Sequence, residues 1–227
     1  MLIVIPEVFT KDQVREIRAL LDDSQWIDGN QTSGAQAALA KQNKQIAIES
    51  QIREQLGNEI LSALGTNPLF LSAALPHKIL PPLFNRYDVG DGFGIHVDNA
   101  IRPVIGTKER IRTDLSMTIF FSEPEEYDGG ELIIETQFGP QSVKLEAGSG
   151  ILYPSTSLHK VTEVTRGSRI SSFFWMQSMI RDEGERTILF DLDQSIQRLT
   201  MELGAKSPQI IALTATYHNL IRKWAEV

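Results

Sequence analysis

His96-Val97-Asp98, within GFGIHVDNA, sets an imidazole and a carboxylate two residues apart. In an extended strand such positions share a face, so the two donors project side by side while Val97 faces away. Alone the tripeptide says little, because a surface pair on an edge strand accounts for it as well. His159, within GSGILYPSTSLHKVTEVTRGSR, adds another nitrogen donor far along the chain. Two histidines and one carboxylate on one face of a metal leave three positions open, the arrangement suited to ferrous iron in oxygen chemistry. A closed tetrahedral set would instead suit structural zinc. Asp98 and His159 are 61 residues apart, room for four intervening strands that bring the chain back to the same mouth. Arg169 follows His159 by ten residues, beyond a turn expected at Arg166-Gly167. It falls on the next strand, where its planar, permanently charged fork matches a carboxylate. Arg166, beside the turn, is expected to face solvent.

Asn85 and Tyr87 in NRYDVG lie eleven and nine residues before His96 and share one face of a preceding strand. Core packing and ligand contact both stay open for Tyr87, and a structural role stays open for Asn85. Blander readings hold elsewhere. Arg86 alternates outward to solvent. Phe173 and Trp175 read as core, Gly129-Gly130 as a hairpin turn, and Pro154 as shaping the turn that leads to His159. His77 and His218 lack partners and read as structural or exposed. The loop 99–113, NAIRPVIGTKERIRT, directly follows the His-x-Asp strand and is long and basic. It is either a solvated connection or a lid over the metal, in which case Lys108, Arg110 and Arg112 suit an anionic partner.

The elements that must hold these residues can be read from periodicity. LIVIPEVF is strand-like. Thr10 can cap a helix from Lys11 to about Asp23, striped by Val14, Ile17, Leu20 and Leu21. The polar stretch SQWIDGNQTSGAQAALAKQN reads as a loop, and a second amphipathic helix is expected from about Ile46 to Leu64, ending near Gly65. From His77 to Ser178 about eight short β-type runs alternate with Gly, Pro and Asp, which predicts a sandwich or barrel. Two helices follow Met179.

The 227 residues allow one sizeable β-domain with helical additions, or two small domains, and 41% apolar content supplies a core. No run of about 18 apolar residues occurs, so no membrane span is expected. The N-terminus has no basic region and no small-residue cleavage site, and is expected to be a first strand, not a signal peptide. With no cysteine there are no disulfides, thiolate sites or cysteine nucleophile, which fits a reducing, cytoplasmic setting. A net charge of −7 counts against a nucleic-acid partner.

HVD together with GSGILYPSTSLHKVTEVTRGSR resembles the Fe(II)/2-oxoglutarate dioxygenase superfamily. The resemblance is to its prolyl-4-hydroxylase-like branch, specifically the bacterial PKHD-type hydroxylases. It implies an α+β chain with a double-stranded β-helix, or jelly-roll, core over residues 78–178. A strand and supporting helices would occupy 1–77, and a helical extension 179–227. It further implies that His96, Asp98 and His159 bind Fe(II), that Arg169 holds the far carboxylate of 2-oxoglutarate, and that Tyr87 and Asn85 contact the same co-substrate. O₂ and 2-oxoglutarate would be consumed, succinate and CO₂ released, and L-ascorbate would keep the iron reduced. The Asn-x-Tyr pair is also similar to AlkB-type nucleic-acid demethylases, but the ten-residue His-to-Arg gap and the acidic charge favour the prolyl-hydroxylase-like branch. A non-catalytic iron or 2-oxoglutarate sensor and a zinc-binding cupin-like protein are the alternatives from other classes. The substrate, small molecule or protein, and the oligomeric state are not legible.

Overall fold

The computed structural model describes residues 1–32 and 41–227. Ile3–Ile5 forms β1, and Thr10 then caps α1 (Lys11–Asp22). The Thr10 hydroxyl accepts from the Gln13 amide, and the Gln13 side chain accepts from the Thr10 amide. This reciprocal pair satisfies donors that the first helical turn leaves open. Val14, Ile17 and Leu21 are its buried stripe, as expected; Leu20 is exposed.

The stretch from Ser24 to Asn43, expected to be loop, is partly strand. Its described portions form β2 (Trp26–Asp28), a 3₁₀ turn over Gly29–Thr32 and β3 (Lys41–Gln42), with β4 (Lys44–Ile46) next. Residues 33–40 of that reading lie outside the described residues. Backbone pairing to β4 and to neighbouring sheets overrides the polar composition. For the same reason the second helix begins later than expected: Ile46 is held in β4, and α2 spans Gln51–Gly65. Asn67 caps a short third helix, α3 (Pro68–Ala74), by accepting from the Phe70 amide.

The strands continue as β5 (Pro76–Ile79), β6 (Leu83–Tyr87), β7 (Gly92–His96), β8 (Ile101–Pro103), β9 (Arg110–Arg112) and β10 (Leu115–Phe120). After them come β11 (Asp128–Gly129), β12 (Leu132–Thr136), β13 (Gly139–Val143), β14 (Gly150–Pro154), β15 (His159–Val161), β16 (Val164–Arg166) and β17 (Arg169–Ser178). Seven strands, β8 to β14, therefore separate Asp98 from His159 where four were expected. The spacing hid the short ones, among them a two-residue strand and the paired β8 and β9.

Two larger sheets carry the architecture. One runs β1-β14-β10-β17-β6-β4-β2, with β5 also on β17; the other runs β13-β12-β15-β7-β3. Every residue of β10 is buried, so its sheet is covered on both faces. On one face Ile5, Phe84, Met117, Ile119 and Phe174 pack with Ile17, Leu56, Ile60 and Phe70 of the first three helices. On the other, Tyr87, Phe120, Ile151 and Tyr153 meet Leu132, Ile134, Val143 and Val161 of the second sheet. The molecule is thus α+β, with helices, a large sheet and a smaller sheet in layers. Its C-terminal part is α4 (Glu183–Leu203) and α5 (Pro208–Trp224), in agreement with the helical reading. These helices pack on Leu75 and Ile180, and Asp193 of α4 accepts from Ser72 of α3 at 2.6 Å. Among the described residues no helix is long and apolar enough to cross a membrane.

Candidate active site

His96 closes β7, and Asp98 follows it on the outgoing chain rather than in the strand. The carboxylate nevertheless returns to the imidazole's side, while Val97 is exposed on the other, as the two-residue period requires. The β7–β15 ladder sets His159 directly opposite His96. One donor atom from each of His96, Asp98 and His159 lies within 4.8 Å of the others. The His159 Nε2 is 3.8 Å from Asp98 Oδ2.

The orientation of both rings is fixed from behind. His96 Nδ1 lies 2.8 Å from the Gly94 carbonyl, and His159 Nδ1 lies 3.0 Å from the Ser157 carbonyl. A carbonyl only accepts, so each Nδ1 carries a proton, and in the neutral ring that leaves Nε2 as the atom able to ligate. Burial, and next the neighbouring His159, push the His96 imidazole down to about 4, so it is neutral and able to ligate. Phe93 stacks on His96 with centroids 3.6 Å apart, and Tyr153 meets His159 edge-on at 5.2 Å. The Ser116 hydroxyl donates to Asp98 Oδ2 at 2.6 Å and also contacts Ser155 Oγ at 2.7 Å. Two imidazoles, one anchored carboxylate and an open side toward the cavity fit a divalent transition metal with vacant positions. The absence of cysteine and of a fourth clustered side chain among the described residues does not fit a closed structural zinc site.

The strand row that leads away from this cluster is built by β17. Arg169, Ser171, Phe173 and Trp175 alternate onto the inner face. Arg169 pairs with Tyr87, and Ser171 with Asn85, across the β6–β17 ladder. Arg169 is 1% exposed. Its Nη1 donates to Ser171 Oγ at 2.7 Å, and the Ser171 hydroxyl in turn donates to Asn85 Oδ1. The guanidinium carbon sits 5.3 Å from the Tyr87 ring centre and 5.1 Å from that of Phe120. Its Nε has no hydrogen-bond partner among the described residues, and none of their ion pairs includes Arg169. Taking such a charge out of water costs several kcal/mol when no anion accompanies it. The cavity that Arg169 lines also holds Asn85, Tyr87, His96, Asp98 and His159, so an anion entering there meets both the guanidinium and the donor cluster. Burial raises the Tyr87 phenol above its ordinary range, although the charge of Arg169 pulls the other way, and its hydroxyl stays a donor.

All six residues singled out from the sequence converge on one cavity. Arg166 is exposed and pairs with Asp128 at 2.7 Å, as expected of a solvent-facing turn residue. His77 and His218 are exposed. Several expectations need correction. Arg86 is half-buried and donates to Asp88 at 2.7 Å instead of standing free in solvent. Trp175 is buried in the core as expected, with Phe173 packed against its cluster, and both also line the cavity because the alternation that buries Arg169 turns them inward. The 99–113 segment is partly strand, a hairpin that pairs β8 with β9. Arg112 is tied back to Asp114 and Glu226. Arg102 is the hairpin residue that reaches inward, with its guanidinium carbon 3.7 Å over the Trp175 ring. Gly129 lies in β11, with a positive φ of 70° and a register shift beside it. Ser116, Tyr153 and Lys41 also line the cavity and were not picked out. For Ser116 a signal existed: a serine and a threonine on one face of the otherwise apolar LSMTIF.

Residues 82–177 match the family model of the 2OG-Fe(II) oxygenase superfamily, and residues 183–226 that of the PKHD-type hydroxylase C-terminal domain. A PKHD-type hydroxylase of Methylobacillus flagellatus is 62% identical over 226 residues, covering 100% of both chains. One from Burkholderia cenocepacia is 57% identical with the same coverage. Among solved structures, a Pseudomonas putida prolyl-4-hydroxylase covers 78% of this chain and 92% of its own at 18% identity, with a TM-score of 0.52. A Trichoplax adhaerens prolyl hydroxylase, in complex with a hypoxia-inducible-factor oxygen degradation domain peptide fragment, covers 82% and 86% at 12% identity, with a TM-score of 0.58. These two structures share the fold. The full-length identities go further: this chain belongs to the bacterial PKHD-type hydroxylase family of the 2OG-Fe(II) oxygenase superfamily, enzymes that use iron, O₂ and 2-oxoglutarate, and its own substrate is unidentified.

Proposed function

We propose that His96, Asp98 and His159 hold one Fe(II), and that Arg169 anchors the far carboxylate of 2-oxoglutarate with Tyr87 and Asn85 beside it. The observation that carries this is the convergence of three donor atoms within 4.8 Å, both imidazoles oriented by carbonyl acceptors, in the same cavity as an anion-deficient buried arginine. When bound, the metal supplies the oxygen chemistry that couples decarboxylation of the keto acid to hydroxylation of a substrate, with release of succinate and CO₂. The protein's own part is placement. Arg169 fixes one end of a five-carbon diacid, and Ser171 and Asn85 keep the guanidinium from turning. Ser116 holds Asp98 in place. Phe93, Tyr153 and Leu132 exclude water around the donors.

Several finer readings go with this. The two facing sheets serve as a double-stranded β-helix core over 78–178, flanked by a supporting N-terminal part over 1–77 and a helical extension over 179–227; the family matches at 82–177 and 183–226 support these bounds. L-ascorbate would serve as the reductant that keeps the metal ferrous, by family resemblance. The cysteine-free sequence suits a cytoplasmic location.

Anaerobic titration with Fe(II), followed by oxygen uptake and succinate assays with 2-oxoglutarate, tests the assignment. His159→Ala should lose stoichiometric iron and all succinate formation. Full retention of either would overturn the ligand set. A sensor on the same fold would bind iron and 2-oxoglutarate and never form succinate.

A further inference from the structure

Asn43 is the single residue between β3 and β4, and it is 7% exposed and lines the same cavity as Arg169 and the donor cluster. Neither Oδ1 nor Nδ2 of its side chain has a hydrogen-bond partner among the described residues. Burying a polar group unmet is costly, so an unmet amide on a cavity wall points to a contact made when the cavity fills.

The backbone around it fixes where the amide stands. The Gly29 amide donates to the Asn43 carbonyl at 3.0 Å. A Cβ on residue 29 would stand 1.9 Å from Asn43 Oδ1, so glycine is what leaves room for this side chain. With Oδ1 against Gly29, the other prong of the amide, Nδ2, is turned away from it.

The β4–β6 ladder pairs Gln45 with Asn85 and Lys44 with Arg86. One further step of the same antiparallel register sets Asn43 level with Tyr87, and Tyr87 is paired with Arg169 on the next strand. Asn43, Tyr87 and Arg169 therefore make one row across neighbouring strands, each step about 4.8 Å. All three line the cavity. Burial raises the Tyr87 phenol, while the charge of Arg169 and then Asn43 lower it. A donor near the phenol oxygen acts in that direction, and Nδ2 is the donor that Asn43 has. A phenol carries one proton. With Nδ2 on its oxygen, that proton is directed away from Asn43 and is left for a ligand beside Arg169.

We propose that Asn43 is a positioning residue for the co-substrate: its amide closes on the Tyr87 oxygen when 2-oxoglutarate enters, so that the phenol gives its one hydrogen bond to the keto acid. This rests on the function proposed above, in which Tyr87 lies beside 2-oxoglutarate. Asn43 precedes the 82–177 region that matches the oxygenase family model, so a strand junction outside that region completes the pocket.

A double-substitution cycle tests it, read by calorimetry as the Kd of 2-oxoglutarate on Mn(II)-loaded enzyme without O₂. Tyr87→Phe and Asn43→Ala should each weaken 2-oxoglutarate about fivefold, the worth of one hydrogen bond. In the Tyr87→Phe background Asn43→Ala should add nothing, because no hydroxyl remains to be directed. An amide with a merely structural role would cost the same in both backgrounds. Mn(II) affinity should match wild type in every variant, which also shows that each is folded; Asn43→Leu, close in volume, keeps the cycle decisive where Asn43→Ala misfolds. Wild-type affinity in the Asn43 variants, or an equal loss with and without the Tyr87 hydroxyl, would overturn the inference and leave the proposed function standing. Wild-type affinity in Tyr87→Phe would instead overturn the co-substrate reading of Tyr87, and the role of Asn43 with it.

Discussion

His96 and His159 face each other across the β7–β15 pair, with ring centres 4.2 Å apart. Cross-strand pairing, not proximity in sequence, brings the two imidazoles together. A one-residue slip of β15 would turn His159 to the opposite face and Lys160 inward. The register is pinned on the other side by β12, where His159 pairs with Ile134 in the core.

Ser116→Ala tests how firmly Asp98 is held. It removes the 2.6 Å hydrogen bond to Oδ2 without touching a proposed ligand. Iron affinity should fall about 10–100-fold, with the fold intact. Anaerobic Fe(II) titration reads this, and wild-type affinity would show that Asp98 is positioned by other means.

Arg169→Met separates stability from binding. Replacing a buried cation that has no carboxylate partner among the described residues by an apolar chain should leave the melting temperature of the metal-free protein equal or higher. The affinity for 2-oxoglutarate should drop by about 2 kcal/mol or more, roughly thirtyfold. Arg169→Lys should recover little of it, because an ammonium cannot reproduce a planar two-pronged contact. Calorimetry with Mn(II) and thermal melts together decide the matter; a large loss of stability with normal 2-oxoglutarate affinity is the contrary result.

Ser171→Ala interrupts the relay from Arg169 to Asn85. The arginine keeps its charge but loses a fixed direction. The KM for 2-oxoglutarate should rise about fivefold, near the 1 kcal/mol of one buried hydrogen bond, while iron binding stays as in wild type. Steady-state succinate assays across 2-oxoglutarate concentrations measure it, and an unaltered KM would remove Ser171 from the proposal.

Gly167→Ala addresses the turn before β17. Gly167 has a φ of 71°, and an added Cβ would stand 2.0 Å from the Glu126 carbonyl oxygen. Both the left-handed backbone and the clash oppose any side chain. Urea unfolding should show a loss of more than about 1 kcal/mol. A variant as stable as wild type would mean that the turn can relax.

Acid stability has an identifiable contributor in Asp88. Burial works against its charge, but hydrogen bonds from Lys44, Ser168 and Arg86 outweigh this and hold it down at about 2. A carboxylate depressed on folding stabilises the native state above its unfolded value near ~3.9 and loses that stabilisation as pH falls toward the folded value. Between about pH 4 and 2 wild type should therefore lose stability more steeply than Asp88→Asn. Unfolding curves across that interval check the slope, and parallel profiles would exclude Asp88.

The sequence made the donors legible because their chemistry is rare and their local spacing regular. His96 with Asp98, and the ten-residue step from His159 to Arg169, survive intact in three dimensions. The α1 cap and the two C-terminal helices were readable because a threonine and helical periodicity act locally. What escaped was decided by partners far away. Trp26–Asp28 and Lys44–Ile46 are strands because they pair with each other and with β6, which no local pattern reveals. Lys41 sits in a polar stretch that reads as a loop, yet pairing with β7 carries it into the cavity. Arg102 looked no different from its basic neighbours until the hairpin showed which of them turns inward.

β17 carries Arg169 and Trp175 on a single uninterrupted run, with the intervening inward positions alternating between them. Losing or gaining one residue anywhere along it would rotate every position beyond the change through half a turn. An ancestral enzyme could therefore diversify this strand only by exchange of side chains at constant length. Length changes that spare this alternation fall outside the strand, as at the rim of the β8–β9 hairpin.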